Sequence, residues 1–224
     1  MWFPCRILYE EFYKLYIDYL REPVVCDAHI KIIEAMASFD PDMKFGDIVD
    51  LGCGKSNEFY YRSHREMSSY IGIDLNAECD GVYRAQKQTF IANYRDLDTV
   101  QNIIYKTGFY DTDVFVSLFS TEITADYKTN LEFYNNIFNK FNNSSILVSG
   151  FYYSSKKYKN PIKENGGLLS FQTLEPIEAQ ESGWFTQIRI EIPVPSQLFG
   201  KDVVEVWKLL QRKRRDFSID TKEV

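Results

Sequence analysis

The chain is short of histidine, of paired cysteine and of positive charge. It has two histidines and four cysteines in 224 residues. Cys5, Cys26, Cys53 and Cys79 are widely spaced and form no C-x-x-C pair. That spacing argues against a disulfide framework or a zinc ribbon and fits a reduced, cytoplasmic setting. Cys26 and His29 form a lone C-x-x-H, too few ligands to hold a metal, so no metal site is expected. Acidic residues outnumber basic ones 32 to 26, a net charge of −6. Proteins whose main partner is a phosphate backbone carry a basic face, so nucleic acid is disfavoured as a partner. No apolar run approaches the length that crosses a bilayer, and no basic region precedes a long apolar one at the N-terminus. Neither a membrane partner nor a secretory signal is expected.

What the chain does have is core material. Hydrophobic residues make up 45% and charged residues 26%, the balance of a soluble globular protein, and the length fits one domain. Aromatics reach 16%, mostly Phe and Tyr.

Two helices are expected first. Leu8, Phe12, Leu15, Tyr16 and Tyr19 share one face over 5–21, and Ile32, Ala35, Met36 and Phe39 share another over 25–38. From Asp47 onward short apolar runs alternate with helical stretches. Strands are expected at 47–51, 70–74, 88–92, 113–118 and 145–150, with helices at 56–67, 78–86, 98–107 and 124–141. Continuous apolar strands joined by helices imply right-handed crossovers and a mostly parallel sheet covered on both faces. The last third differs. A strand is expected at 168–174, a half-exposed antiparallel strand at 184–192, and a closing helix at 202–215 with Val203, Trp207 and Leu210 inward. The polar segment 152–167 has no periodicity and is expected to be a long loop.

The stretch "IVDLGCGKSNEFYY", residues 48–61, carries the chemistry. Gly54-Lys55-Ser56 matches the end of a P-loop. That motif needs a glycine four residues earlier, where Val49 stands inside an apolar strand. A dinucleotide fingerprint starting at Gly52 needs glycine at 57, which is Asn57. Asp50 at the strand's carboxyl end would also repel a pyrophosphate. A carboxylate there suits a ligand with an ammonium or sulfonium group.

"IVDLGCGKS" followed by "YIGIDLN" resembles motif I and the next acidic strand of the class I S-adenosylmethionine-dependent methyltransferases. The resemblance covers about residues 45–150. It implies an α/β fold: a mostly parallel, seven-stranded, doubly wound sheet with its last strand antiparallel and an N-terminal helical lid. Residues 1–224 then form a single domain, with 1–44 as the lid and 45–224 as the core. It also implies S-adenosylmethionine as cofactor, held at Asp50, Gly52, Cys53, Gly54 and Ser56 of the loop and at Asp74 and Leu75 after the second strand. Glycines let the backbone approach the cofactor, and Asp74 would accept both ribose hydroxyls. After the third strand either Asn93 or Asp96 would sit beside the adenine, with Tyr94 as a stacking or backbone contact and Asp98 as the cap of the next helix. Ser117 and Leu118 would open a loop, running to Ser120, that passes under the methionine moiety. Tyr9, Tyr13 or Tyr16 of the lid would reach the cofactor carboxylate.

Methyl transfer from a sulfonium asks mainly for positioning, with a general base in some cases. Candidates for that base are Glu122, Tyr152 and Tyr153, with His64 a lesser one. The Asn/Asp-Pro-Pro-aromatic motif of base-amine methylation is absent after the fourth strand, where Ser117-Leu118-Phe119-Ser120 stands, and no cysteine is near. The basic run Gln211 to Arg215 reads as a solvated helix end. A small-molecule acceptor is therefore expected. RNA or protein methylation, and a non-catalytic binding protein of the same fold, remain open at this stage.

Overall fold

The computed structural model describes residues 14, 18–38, 45–54, 67–75, 87–108, 114–119, 127–141, 146–153, 184–194 and 203–212. Its elements, in chain order, are α1 (Pro23–Ala37), β1 (Phe45–Leu51), β2 (Met67–Asp74), β3 (Lys87–Ile91), α2 (Leu97–Thr107), β4 (Val114–Leu118), α3 (Tyr127–Lys140), β5 (Ile146–Tyr153), β6 (Trp184–Pro193) and β7 (Val204–Arg212).

Local chemistry sets the helix ends. Pro23 opens α1, where a missing N–H costs nothing, and the Ser38 N–H closes it on Glu34 O and Met36 O. Asp96 caps α2 by accepting from the Asp98 and Thr99 N–H groups. Gly108 ends α2 at φ +80°, a left-handed position that suits glycine.

The seven strands run in the order β3-β2-β1-β4-β5-β7-β6. Pairings among β1 to β5 are parallel, while β7 is antiparallel to both β5 and β6. Strand order reverses at β1, which has β2 on one side and β4 on the other. In open α/β sheets ligands bind outside the strand carboxyl ends at such a reversal.

Side chains alternate between two packed faces. On one, Ile48, Tyr70, Val116, Val148 and Leu209 meet Ile32, Ile33 and Met36 of α1. On the other, Val49, Ile71, Phe115 and Leu147 meet Val100 and Ile104 of α2 and Phe133, Tyr134 and Ile137 of α3. Covering on both faces is why the central strands read as unbroken apolar runs. The described part of the expected lid, α1, is thus a layer of the core. At the far edge, Trp184 is buried with its indole N–H on Tyr134 O at 3.3 Å and the Phe138 ring edge-on to it.

The C-terminal expectation is corrected. Within the segment expected as a helix at 202–215, Val204–Arg212 is strand β7, inserted between β5 and β6, and residues 202 and 213–215 lie outside the described residues. A strand buried on both faces loses its period-2 signature, and its apolar run then satisfies a helical template equally well. Glu205 and Lys208, which an amphipathic helix would turn to water, are both buried. The strand-favouring signal was the β-branched set Val203, Val204 and Val206. Strand β6 does show the half-exposed alternation and pairs antiparallel, with β7. The helices expected at 56–67 and 78–86, the strand at 168–174 and most of the helix at 5–21 lie outside the described residues, although Met67 itself begins β2.

Candidate functional site

The loop after β1 is stitched to the end of β2. Gly52 N–H donates to Ile73 O at 2.8 Å, and Gly54 N–H donates to Asp74 Oδ2 at 3.1 Å. Gly52 and Gly54 have φ values of +86° and +66°, a region that residues with a Cβ rarely enter. The glycine spacing is therefore a backbone requirement. A Cβ added at Gly54 would meet nothing within 4 Å, so the loop presents bare backbone to open space. Asp74 is half-buried beside it, and Leu75, 58% exposed, offers an apolar surface next to the carboxylate.

Asp50 lies behind this loop. It is 2% exposed, and its Oδ2 accepts the Tyr70 hydroxyl at 2.6 Å. Burial pushes the carboxyl up to about 7; the Tyr70 hydrogen bond opposes the rise and the nearby Asp74 adds to it. Burial likewise drives the Tyr70 phenol and the Cys53 thiol well above their usual ranges, so both stay protonated. Asp50 is thus a buried, hydrogen-bonded carboxyl at the strand end that holds its proton below about pH 7.

After β3, the two acidic-position candidates separate. Asp96 is exposed and engaged as the cap of α2: Oδ1 accepts from Asp98 N–H and Thr99 N–H, and Oδ2 from the Thr99 hydroxyl at 2.7 Å. The Thr99 contacts hold its carboxyl below the usual range. The cap is therefore Asp96, where Asp98 was expected; Asp98 instead pairs with Lys140. Asn93 is exposed, with Oδ1 accepting the Arg95 N–H. Tyr94 is buried edge-on against Phe133, and the Arg95 guanidinium stands over Phe133 and reaches Asn130. Tyr94 is placed to support this loop from beneath.

Ser117 at the end of β4 is fully buried on the α3 face, with the Tyr134 hydroxyl 3.5 Å away. Leu118 is partly buried, and Phe119 follows at φ +53° with its N–H on Gly150 O at 2.7 Å. A left-handed non-glycine residue costs roughly 1–2 kcal/mol. Gly150 makes the turn possible: a Cβ there would stand 2.7 Å from Leu118 Cδ2 and 3.0 Å from Phe119 Cζ. Gly150→Ala is expected to push both side chains out of place and cost about 1–3 kcal/mol in denaturant unfolding. Unchanged stability would show that the turn has slack. The Phe119 ring stacks on Tyr152, with centroids 4.7 Å apart, so the tyrosine named as a base candidate is a buried wall residue.

Sequence reasoning missed a buried cluster on the same edge. His29 of α1 approaches Glu205 of β7, with Nε2 and Oε2 2.7 Å apart, and Trp207 Nε1–H donates to the same Oε2 at 3.3 Å. The pair is separated by 176 residues. Glu205 falls in the segment expected as a helix, so no local pattern connects the two. Ser56, Lys55, His64 and Glu122, the lid tyrosines Tyr9, Tyr13 and Tyr16, and the loop beyond Tyr153 lie outside the described residues.

No protein-family model matches the chain, and no curated protein does either. Solved structures do. The chain is similar to the N-methyltransferase NodS from Bradyrhizobium japonicum, with 9% identity and a TM-score of 0.51 over 83% of this chain and 95% of that one. A S-adenosylmethionine-dependent methyltransferase from Clostridium acetobutylicum matches at 12% identity and a TM-score of 0.52, over 91% and 98%. A geranyl diphosphate methyltransferase solved with GPP and sinefungin matches at 12% identity and a TM-score of 0.52, over 83% and 77%. At such identities the likeness is one of fold. Strand order, the antiparallel β7 and the glycine loop after β1 agree with it: the chain has the fold of the class I S-adenosylmethionine-dependent methyltransferases.

Proposed function

We propose that this chain is a S-adenosylmethionine-dependent methyltransferase that acts on a small-molecule acceptor. The observation that carries the reading is the Asp74 carboxylate fixed at the end of β2 by Gly54 N–H, beside a left-handed glycine loop with open space above it. A carboxylate has about four lone-pair sites, enough to hold that N–H and to accept two vicinal hydroxyls of a ribose. The Asp74 carboxylate at the end of β2 suits a cationic ligand and repels a phosphate chain. The residues present therefore fit this cofactor better than a nucleotide triphosphate or a dinucleotide.

In this reading Asp74 holds the ribose, and Leu75 gives the adenine an apolar neighbour. Asn93 offers an amide at the adenine edge, with Tyr94 supporting its loop. The backbone of Gly52, Cys53 and Gly54 lies against the amino-acid end, and Asp50, buried and hydrogen-bonded to Tyr70, anchors the strand end that carries the loop. The bound cofactor supplies a methyl group already activated on a sulfonium sulfur. What remains for the chain is to hold the acceptor in line and exclude water. The net charge of −6 favours a small acceptor over RNA.

The test is transfer of label from methyl-labelled S-adenosylmethionine in a cell extract depleted of the chain and then supplemented with it. Label is expected in a dialysable product that separates from S-adenosylmethionine by chromatography. Label retained with RNA or protein would overturn the small-molecule assignment, and no label above the unsupplemented extract would overturn the enzyme.

A further inference from the structure

We propose that Glu205 is a ligand-binding residue on the acceptor side of the sheet, and that the ligand it takes is an aliphatic amine. Its place in methyl transfer rests on the function proposed above; the binding itself does not.

Glu205 stands at the start of β7, opposite Tyr152 in the β5–β7 register and thus at the same edge as the β1 loop. It is fully buried, and its two oxygens differ. Oε2 is gripped by His29 Nε2 and Trp207 Nε1–H, while Oε1 has no hydrogen-bond partner. Leaving a buried carboxyl oxygen without a donor is costly, and a core of this size would ordinarily fill the position with an apolar side chain. The two donors on Oε2 fix the direction of Oε1, which is how a binding group is preorganised.

A second observation falls in the same place. Phe119 is the only described non-glycine residue at positive φ, and it leaves the end of β4 just where its ring can lie between Tyr152 and Trp207. The His29 ring closes the group, 5.0 Å from Trp207. Backbone strain of this kind concentrates at ligand sites. Here it holds an aromatic wall beside an unsatisfied carboxyl oxygen.

The chemistry selects the ligand class. An ammonium N–H satisfies Oε1, its charge complements the carboxylate, and the faces of Trp207, Phe119 and Tyr152 attract a cation. A hydroxyl would satisfy Oε1 and gain nothing from the rings. An anion would be repelled.

The experiment titrates the full chain with phenethylamine and with its isostere phenethyl alcohol, followed by chemical shifts, with and without S-adenosylmethionine. The amine is expected to bind at least roughly tenfold tighter than the alcohol, the scale of one charge-assisted hydrogen bond. Glu205→Gln, which keeps an oxygen for His29 and Trp207, is expected to remove that preference while the affinity for S-adenosylmethionine holds. Equal binding of the two probes by the wild-type chain would overturn the proposal whether or not the variant folds. So would an unchanged preference in the folded variant. Cofactor binding with no amine binding overturns this site alone. Amine preference without cofactor binding supports the site and overturns the methyltransferase reading.

Discussion

Replacing Asp74 with alanine is expected to weaken binding of S-adenosylmethionine roughly 100-fold or more. On the proposed function, two hydrogen bonds from ribose hydroxyls to the carboxylate would be lost, each charge-assisted and worth about 1.5–3 kcal/mol. The same substitution releases Gly54 N–H, the 3.1 Å contact that ties the β1 loop to β2. Asp74→Asn retains one acceptor oxygen and is expected to lose less, roughly tenfold. Calorimetric titration of the three proteins reads the effect, and thermal melts confirm that each is folded. An affinity for Asp74→Ala within about threefold of the wild type would be well under one such hydrogen bond and would refute the ribose assignment.

The second large effect lies in the pH dependence of stability. The Asp50 carboxyl ionises near 3.8 in the unfolded chain, while burial pushes it up to about 7 in the folded one, with Asp74 adding and the Tyr70 hydroxyl opposing. Between those values the folded state holds a proton that the unfolded state has lost. The stabilisation is therefore complete below pH 3.8 and disappears as pH rises through about 7. A displacement of roughly 3 pH units corresponds to a loss on the order of 4 kcal/mol by pH 8. Asp50→Asn keeps the shape and an oxygen for Tyr70 but carries no titrating group. It is expected to match the wild type near pH 4 and to exceed it above pH 7. Urea unfolding of both proteins from pH 4 to 8 reads this directly. Parallel curves would show that Asp50 ionises in the folded chain as it does in the unfolded one.

The legible parts of this protein are those whose physics is local. Gly52 and Gly54 were visible as glycines because each must take a positive φ on its own account. The place of Asp74 beside the loop was legible from its distance along the chain from Asp50, one crossover away, and Gly54 N–H meets its carboxylate there. The parallel strands declared themselves by apolar runs that only a sheet covered on both faces requires. The misreadings share a cause as well. Segment 204–212 is a strand because β5 and β6 flank it, a fact absent from its own residues, and Glu205 and Lys208 made it look amphipathic. Asp96 and Asp98 are both acidic residues at a helix start, and only backbone geometry decides that Asp96 is the cap. His29 appeared first in a C-x-x-H pattern that has no bearing on its position. Its partner Glu205 is reached only when α1 lies on the sheet face. Part of the expected site, Ser56 and Glu122 above all, falls outside the described residues.

The cofactor itself is the point on which the account turns. Calorimetric titration of the wild-type chain with S-adenosylmethionine, and in parallel with its demethylated product, tests it most directly. Binding of both is predicted at micromolar levels, with one site per chain, and with ATP and NAD failing to compete. No binding of either below millimolar, or displacement of the cofactor by ATP, would contradict the reading of Asp74 and the glycine loop on which the proposed function stands.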